Sequence, residues 1–229
     1  ALAFDRAFGP VAPFLRGSAF WVEHRARQRD ALLLGGQLGV RVEVVGEALH
    51  VTAGGGGFAY TGVEGEAALA DETRGFGNST VPTPGAYARV DPDGRVTYAN
   101  GYELVEGLAA VGGSAGPVDW ELFGDLVVNL AVERERFGWL GGGALGGALG
   151  SVYLGARYNY RVLEADAAVG AFTDSDFGGG GTDAAGHEWN LSVGIGEHAV
   201  LCGTFFWNRA KLGAALSYER LQIDVQVSF

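Results

Sequence analysis

The sequence predicts an all-β protein, an antiparallel β-barrel that crosses a membrane, and three observations lead there. Apolar and polar residues alternate with period two over stretches such as 32–44 and 118–132. These outrun the ~5–6 residues of an ordinary soluble strand and fit the ~9–11 that a tilted strand needs to cross a bilayer. Short turns and long connections alternate along the chain, as they do in barrels with tight turns at one rim and loops at the other. Finally, 40 of the 229 residues are glycine, without a collagen period, which suits a β protein full of tight packing and turns.

In chain order, strands are expected near 2–8, 11–24, 31–45, 48–60, 101–112, 117–132, 137–148, 151–163, 186–196, 198–208 and 216–229. In the third, Leu32, Leu34, Gly36, Leu38, Val40, Val42 and Val44 oppose Leu33, Gly35, Gln37, Gly39, Arg41 and Glu43. In 118–132, Val118, Trp120, Leu122, Leu126, Val128 and Leu130 oppose Asp119, Glu121, Asp125 and Asn129. In 152–162, Val152, Leu154, Ala156, Tyr158, Tyr160 and Val162 oppose Arg157, Asn159 and Arg161. Trp189, Leu191, Val193 and Ile195 mark another strand, and Leu221, Ile223, Val225, Val227 and Phe229 oppose Gln222, Asp224, Gln226 and Ser228 in the last. Trp21, Tyr60, Trp120, Trp139, Trp207 and Phe229 sit at or near strand ends, where an interfacial aromatic girdle belongs.

Short turns are expected around Gly46–Glu47, 113–116 and Gly196–Glu197. Two connections are long. The first covers 61–100 and holds Pro82, Pro84, Pro92 and the turn sequence Asp91-Pro92-Asp93-Gly94. The second covers 164–185. The uncharged stretch 137–156 is long enough to span as a helix, but Gly138, 141–143, Gly146, Gly147, Gly150 and Gly155 interrupt it. Glycine costs about 1 kcal/mol at each helix-interior position, so two strands around Leu149–Gly150 are expected instead. The whole of 1–229 reads as a single barrel domain.

Charge and composition exclude several functions. The formal net charge is −11, from 27 acidic and 16 basic residues, a field that repels a nucleic acid backbone. Cys202 is the single cysteine, so neither an internal disulfide nor a cysteine metal cluster can form; it reads as a small packed side chain. His24, His50, His187 and His198 are scattered without metal-ligand spacing. The glycine run 178–181 lacks the Lys-Ser/Thr of a phosphate loop, and 54–57 does not match the dinucleotide fingerprint. The chain carries no secretory signal and begins at Ala1, as expected of a processed chain or a fragment.

The polar faces give the candidate lumen residues: Arg41, Glu43, Asp119, Glu121, Asp125, Arg157, Arg161 and Asp224. In a water-filled barrel such charges tune selectivity. Asp174, Asp176 and Asp183, on a glycine-rich connection, are candidates for a channel constriction. Three carboxylates there could also contribute oxygens to Ca²⁺, although their spacing departs from the EF-hand pattern and the alternative is a solvated acidic loop. Phe229 closes an alternating strand in phase with its apolar face. This resembles the C-terminal signal that the barrel-assembly machinery of Gram-negative bacteria reads.

The segment 163–172, followed by Thr173-Asp174-Ser175-Asp176-Phe177, four glycines, Thr182-Asp183 and Gly186-His187-Glu188, resembles the putative-porin family of Gram-negative outer membranes. There, an acidic Asp-Ser-Asp-Phe, Gly-rich, Thr-Asp segment precedes the last strands. Also similar are Tyr98-Ala99-Asn100-Gly101-Tyr102-Glu103-Leu104-Val105-Glu106-Gly107, Leu122-Phe123-Gly124-Asp125, Phe76-Gly77-Asn78-Ser79-Thr80, Leu33-Leu34-Gly35-Gly36-Gln37-Leu38-Gly39 and Arg220-Leu221-Gln222-Ile223-Asp224. Family members are about twice as long, so the resemblance implies the C-terminal portion of a larger barrel. It implies location in the bacterial outer membrane and contact with outer-membrane lipid. It also implies passive diffusion of small hydrophilic solutes or ions without catalysis, and leaves room for a homo-oligomer. Two other readings fit the residues: a non-conducting barrel serving as a structural anchor or assembly subunit, and a soluble Gly-rich β-sandwich adhesin.

Overall fold

The structure is a computed structural model describing residues 1–25, 29–46, 48–81, 95–196, 198–214 and 216–228. Its strands are β1 (Leu2–Asp5), β2 (Val11–Glu23), β3 (Ala31–Glu43), β4 (His50–Thr61), β5 (Thr80–Val81), β6 (Thr97–Tyr98), β7 (Tyr102–Ala115), β8 (Val118–Asn129), β9 (Phe137–Leu149), β10 (Val152–Leu163), β11 (Ala184–Ile195), β12 (Ala199–Ala210) and β13 (Leu216–Val227). Eleven of them form one antiparallel sheet in the order β1-β2-β3-β4-β7-β8-β9-β10-β11-β12-β13. β5 and β6 make a separate two-stranded pair inside the first long connection. β1 and β13 are the two ends of the strand order, and among the described residues no ladder joins them.

Apart from one register shift between Trp21 and Glu23 in the β2–β3 ladder, the ladders keep the side-chain parity that the alternation requires. Asp125 pairs with Leu140, Arg161 with Leu140 and Gly186, and Asp224 with Cys202. Leu122, Leu126, Leu145, Leu191, Leu201 and Leu221 thereby share the opposite face. We call the face carrying the charged residues inner, because the long connections pack on it, and the other face outer. No second sheet covers the outer face among the described residues, and its large apolar side chains are exposed: Leu145 at 60%, Leu191 at 63% and Ile223 at 68%. In water that surface would be a severe aggregation hazard; in hydrocarbon it is the face a spanning sheet needs. Among the described residues no helix is long and apolar enough to cross a membrane. The stretch 137–156 forms β9 and the start of β10 around a turn at Gly150, where φ is +65°.

The connections sort by rim. By their strand ends, β1–β2, β3–β4, β7–β8, β9–β10 and β11–β12 are joined at one rim, and β2–β3, β4–β7, β8–β9, β10–β11 and β12–β13 at the other. The main departure from expectation concerns the second short turn. The glycines from 113 onward read as the turn itself, but β7 runs on to Ala115. A Cβ at Gly113 would lie 2.1 Å from the Ala48 carbonyl oxygen, and one at Gly112 2.7 Å from that of Trp120. These glycines admit neighbouring backbone within the strand, and the turn itself falls at Gly116 and Pro117. β1 ends earlier than expected, because the chain turns back at Gly9 and Phe8 bridges to Val11. β8 stops at Asn129, whose side chain ties down the turn that follows. The turn at 91–94, Pro82 and Pro84, Glu47, Glu197 and Phe229 lie outside the described residues.

The two faces make opposite predictions for one charge. Leu126→Arg, on the outer face of β8, is expected to cost about 2–4 kcal/mol near a bilayer midplane. The check is reversible folding into phosphatidylcholine vesicles against a urea gradient, with Gln222→Arg on the inner face as the comparison. Equal stability of the two variants would show that the outer face does not meet lipid.

Candidate functional site

The site is the inner face together with the two long connections that fold onto it. Tyr98, Tyr102, Leu69, Val63, Ala68 and Val169 form a buried cluster with Leu104 and Ala31, packed against Phe58, Tyr60 and Val127. These are inner-face residues of β3, β4, β7 and β8 meeting residues of 62–101 and 164–183. Phe172 stacks on Tyr60, with ring centroids 6.2 Å apart and planes 9° from parallel. Phe177 makes a second, smaller cluster with Ala184, Phe206 and Tyr218.

Buried polar side chains lock the two connections together. Asn78 Nδ2 donates to the carbonyls of Ala165 (2.6 Å) and Ala168 (2.8 Å), and its Oδ1 accepts the Gly170 N–H at 2.7 Å. Asp166, 2% exposed, accepts from Ser79 N–H (2.9 Å), Asn100 Nδ2 (2.8 Å) and the Tyr102 hydroxyl (3.2 Å). Asn129 is fully buried: its Nδ2 donates to the Gly101 and Asp166 carbonyls, and its Oδ1 accepts the N–H groups of Glu103 and Ala131. Its side-chain capacity of two donors and two acceptors is fully used. The run 178–181 has four consecutive positive φ angles, +62°, +85°, +88° and +101°, which only glycine adopts at low cost. A Cβ at Gly181 would lie 2.2 Å from the Phe76 carbonyl oxygen, where the two connections cross.

The predicted lumen residues all lie on the inner face, in separate groups. Arg41, Glu43, Asp119 and Glu121 line a cavity of about 480 Å³ with His50 and Tyr153, towards the short-turn rim. There, Ser114 donates to Asp119 at 2.6 Å. Asp125 meets Glu106, the two carboxyls hydrogen-bonded to each other, and Gln37 Nε2 lies 3.4 Å from both Glu106 oxygens. Arg157 lies over the Phe123 ring, 4.0 Å from its centroid. This is geometry that stabilises a cation, and it uses space left by Gly142, whose Cβ would fall 2.8 Å from Phe123. Asp224 stands apart on β13.

The second long connection crosses the inner face of β10 to β13 and uses two of the predicted aspartates as pins. Asp174 pairs with Arg161 at 3.3 Å, and Arg161 also pairs with Glu188 at 3.0 Å while lying over Phe177. Asp176 pairs with Arg220 at 2.7 Å and accepts from Gln222 Nε2 at 2.8 Å. Asp183 accepts the Leu212 N–H at 3.0 Å; burial pushes its carboxyl above the usual range, while that hydrogen bond and nearby Lys211 act in the opposite sense. The three aspartates therefore face three different partners. Among the described residues no group of three His, Cys, Asp or Glu side chains could hold a metal ion.

Sequence reasoning missed Glu106, Glu188, Arg220 and the Asn78–Asp166–Asn129 network. Glu106, Glu188 and Arg220 were within reach: counting in twos from Asp125 or Asp224 across each turn puts them on the same face. The network had no signal, since its members come from connections without periodicity.

A single antiparallel sheet with an apolar outer face, a charged inner face, turns at one rim and inward-folded loops at the other has the architecture of an outer-membrane barrel wall. Residues 154–229, from Leu154 in β10 to the last residue, match the family model described as "Putative porin". That segment contains the whole of the inward-folded connection 164–183 and the strands it is pinned to, and the match gives it a porin-like outer-membrane character. No curated protein and no solved structure matches the chain.

The lock makes the next prediction. Asn78→Ala removes the partner of the buried Gly170 N–H and of the half-buried Ala168 carbonyl, while the Ala165 carbonyl keeps the Thr182 hydroxyl; an unsatisfied buried group costs about 1–3 kcal/mol. Limited proteolysis should cut 164–183 faster, with the strand signal in circular dichroism unchanged. An unchanged cleavage rate would show that the connections hold without it.

Proposed function

We propose that the chain forms the wall of an outer-membrane channel for passive diffusion of small hydrophilic solutes, with a preference for cations, and catalyses no reaction. The observation that carries this reading is the charge pattern of the inner face. Glu106, Asp119, Glu121 and Asp125 stand on β7 and β8, whose inner faces carry no basic residue. The arginines of β10 and β13 are engaged instead: Arg161 and Arg220 with loop carboxylates, Arg157 with an aromatic ring. A solute passing the inner face meets the acidic side chains of β7 and β8, while Arg161 and Arg220 are offset by loop carboxylates, an arrangement that concentrates cations near it. The connection 164–183, lying across the inner face, narrows the path.

The alternative is a filled barrel that conducts nothing. It draws support from the cluster around Tyr98, Tyr102 and Leu69, which occupies the inner face near the long-loop rim.

Planar-bilayer recording separates the two. The proposed channel gives discrete conductance steps and, under a KCl gradient, a reversal potential of the sign set by K⁺ permeation. The triple variant Asp119→Asn, Glu121→Gln, Asp125→Asn should move that potential towards zero. Deleting 174–183 should raise the conductance while the barrel still folds. Absence of steps from correctly inserted protein would favour the filled barrel, and a reversal potential set by Cl⁻ would overturn the cation preference.

A further inference from the structure

The outer face is not uniformly apolar. Near the long-loop rim, Trp139, Tyr158, Tyr160, His187, Trp189 and Trp207 form one continuous aromatic patch across β9 to β12. His187 sits at its centre, its ring stacked on Trp189 (5.1 Å between centroids) and Trp207 (5.6 Å) and edge-on to Tyr160 (4.8 Å). Its Nδ1 is 2.9 Å from the Tyr158 hydroxyl; among the described residues nothing bonds its Nε2. Arg209 stands on the same face one rung closer to the rim, where it pairs with Ala185 as Trp207 pairs with His187. It is exposed and makes no ion pair among the described residues. Glu219 shares the face on the far side of Trp207, without pairing with Arg209.

Tyr160, His187, Trp207, Arg209 and Ser217 enclose a recess of about 330 Å³. Beyond Tyr158 and Trp189 a furrow of about 680 Å³ runs over Gly143 and Ala156, between Leu122 and Leu191. A further furrow of about 580 Å³ continues it past Gly147 and Leu154 towards the short-turn rim. The face thus offers a cationic recess, an aromatic collar and an apolar channel in line, in the order of a lipid's phosphate, interfacial region and acyl chain.

We infer that this part of the outer face binds one phosphate-bearing acyl lipid of the leaflet at the long-loop rim, its phosphate between Arg209 and His187 Nε2 and one chain in the furrow. The inference rests on the outer-membrane reading above. Aromatic rings mark headgroup depth, and a guanidinium at that depth is stabilised by an anionic phosphate through charge-assisted hydrogen bonds. A second copy could offer the partner's Glu219 to Arg209, but a phosphate, with more charge and more acceptor oxygens, matches Arg209 and His187 Nε2 together, so charge complementarity favours the lipid.

The test uses the full chain in nanodiscs of phosphatidylglycerol and phosphatidylcholine with identical acyl chains, followed by detergent stripping and native mass spectrometry of the retained lipid. Phosphatidylglycerol should be retained in preference, by about fivefold for a cation at the membrane surface. Arg209→Gln should lose most of that preference and His187→Phe, which keeps the ring stack, part of it. Arg134→Gln, at the same rim and away from the patch, should change nothing. Equal retention of both lipids by the unaltered chain, or a preference that survives Arg209→Gln with His187→Phe, overturns the site. A change from dimer to monomer in the double variant, without change in lipid preference, overturns it in favour of a second copy. Insertion into phosphatidylcholine without lipid preference removes the site alone, whereas failure to insert removes the membrane reading itself.

Discussion

A β-strand turns successive side chains to opposite faces, so slipping any ladder by one residue would carry its charges to the other side of the sheet. Everything else here depends on that register. It puts Arg41, Asp125, Arg161 and Asp224, from four separated strands, on one face and the leucine rows on the other. The one irregularity between β2 and β3 falls at Trp21 and Glu23, at the long-loop end, where a shift changes pairing without disturbing the strand's middle. Across a bilayer the penalty for a slip is larger than in water, because a charge carried into hydrocarbon has no solvent to meet it.

Given that register, the long connections have a polar and aromatic surface to fold on. They are held by burial rather than by hydrogen-bonded length: the connection 164–183 contains only a short 3₁₀ turn, Gly170–Phe172. What orders it is a set of side chains whose bonding capacity is used up away from water, notably Asn129 with four partners and Asp166 with three. Such networks define a unique arrangement when every member is satisfied. The glycine run 178–181 and the contact of Gly181 with Phe76 let two irregular backbones cross closely enough for that network to close.

The inner and outer faces also solve different problems with the same residue types. Inside, aromatic rings carry arginines: Phe123 under Arg157 and Phe177 under Arg161. Outside, rings stack on one another around His187. The inner rings support guanidinium charge; the outer ones pack on one another across the apolar face.

The sequence by itself determined the fold class, the eleven strands of the large sheet and the side of the sheet that each predicted lumen residue occupies. Period-two alternation is a local property, and the chain carries it strand by strand; 152–162 and 221–228 show it without reference to any neighbour. Strand ends were less legible: the glycines near the end of β7 look like a turn until the backbone of Ala48 is seen beside Gly113. Only the tertiary structure decided which charges meet. Asp174 and Asp176 read as one acidic loop, yet the fold sends one to Arg161 on β10 and the other to Arg220 on β13. Asp166, Asn78 and Asn129 give no sign in the sequence of sharing a network. The physical reason is that partners far apart in sequence are fixed by where irregular backbone crosses the sheet, and no local periodicity records that crossing.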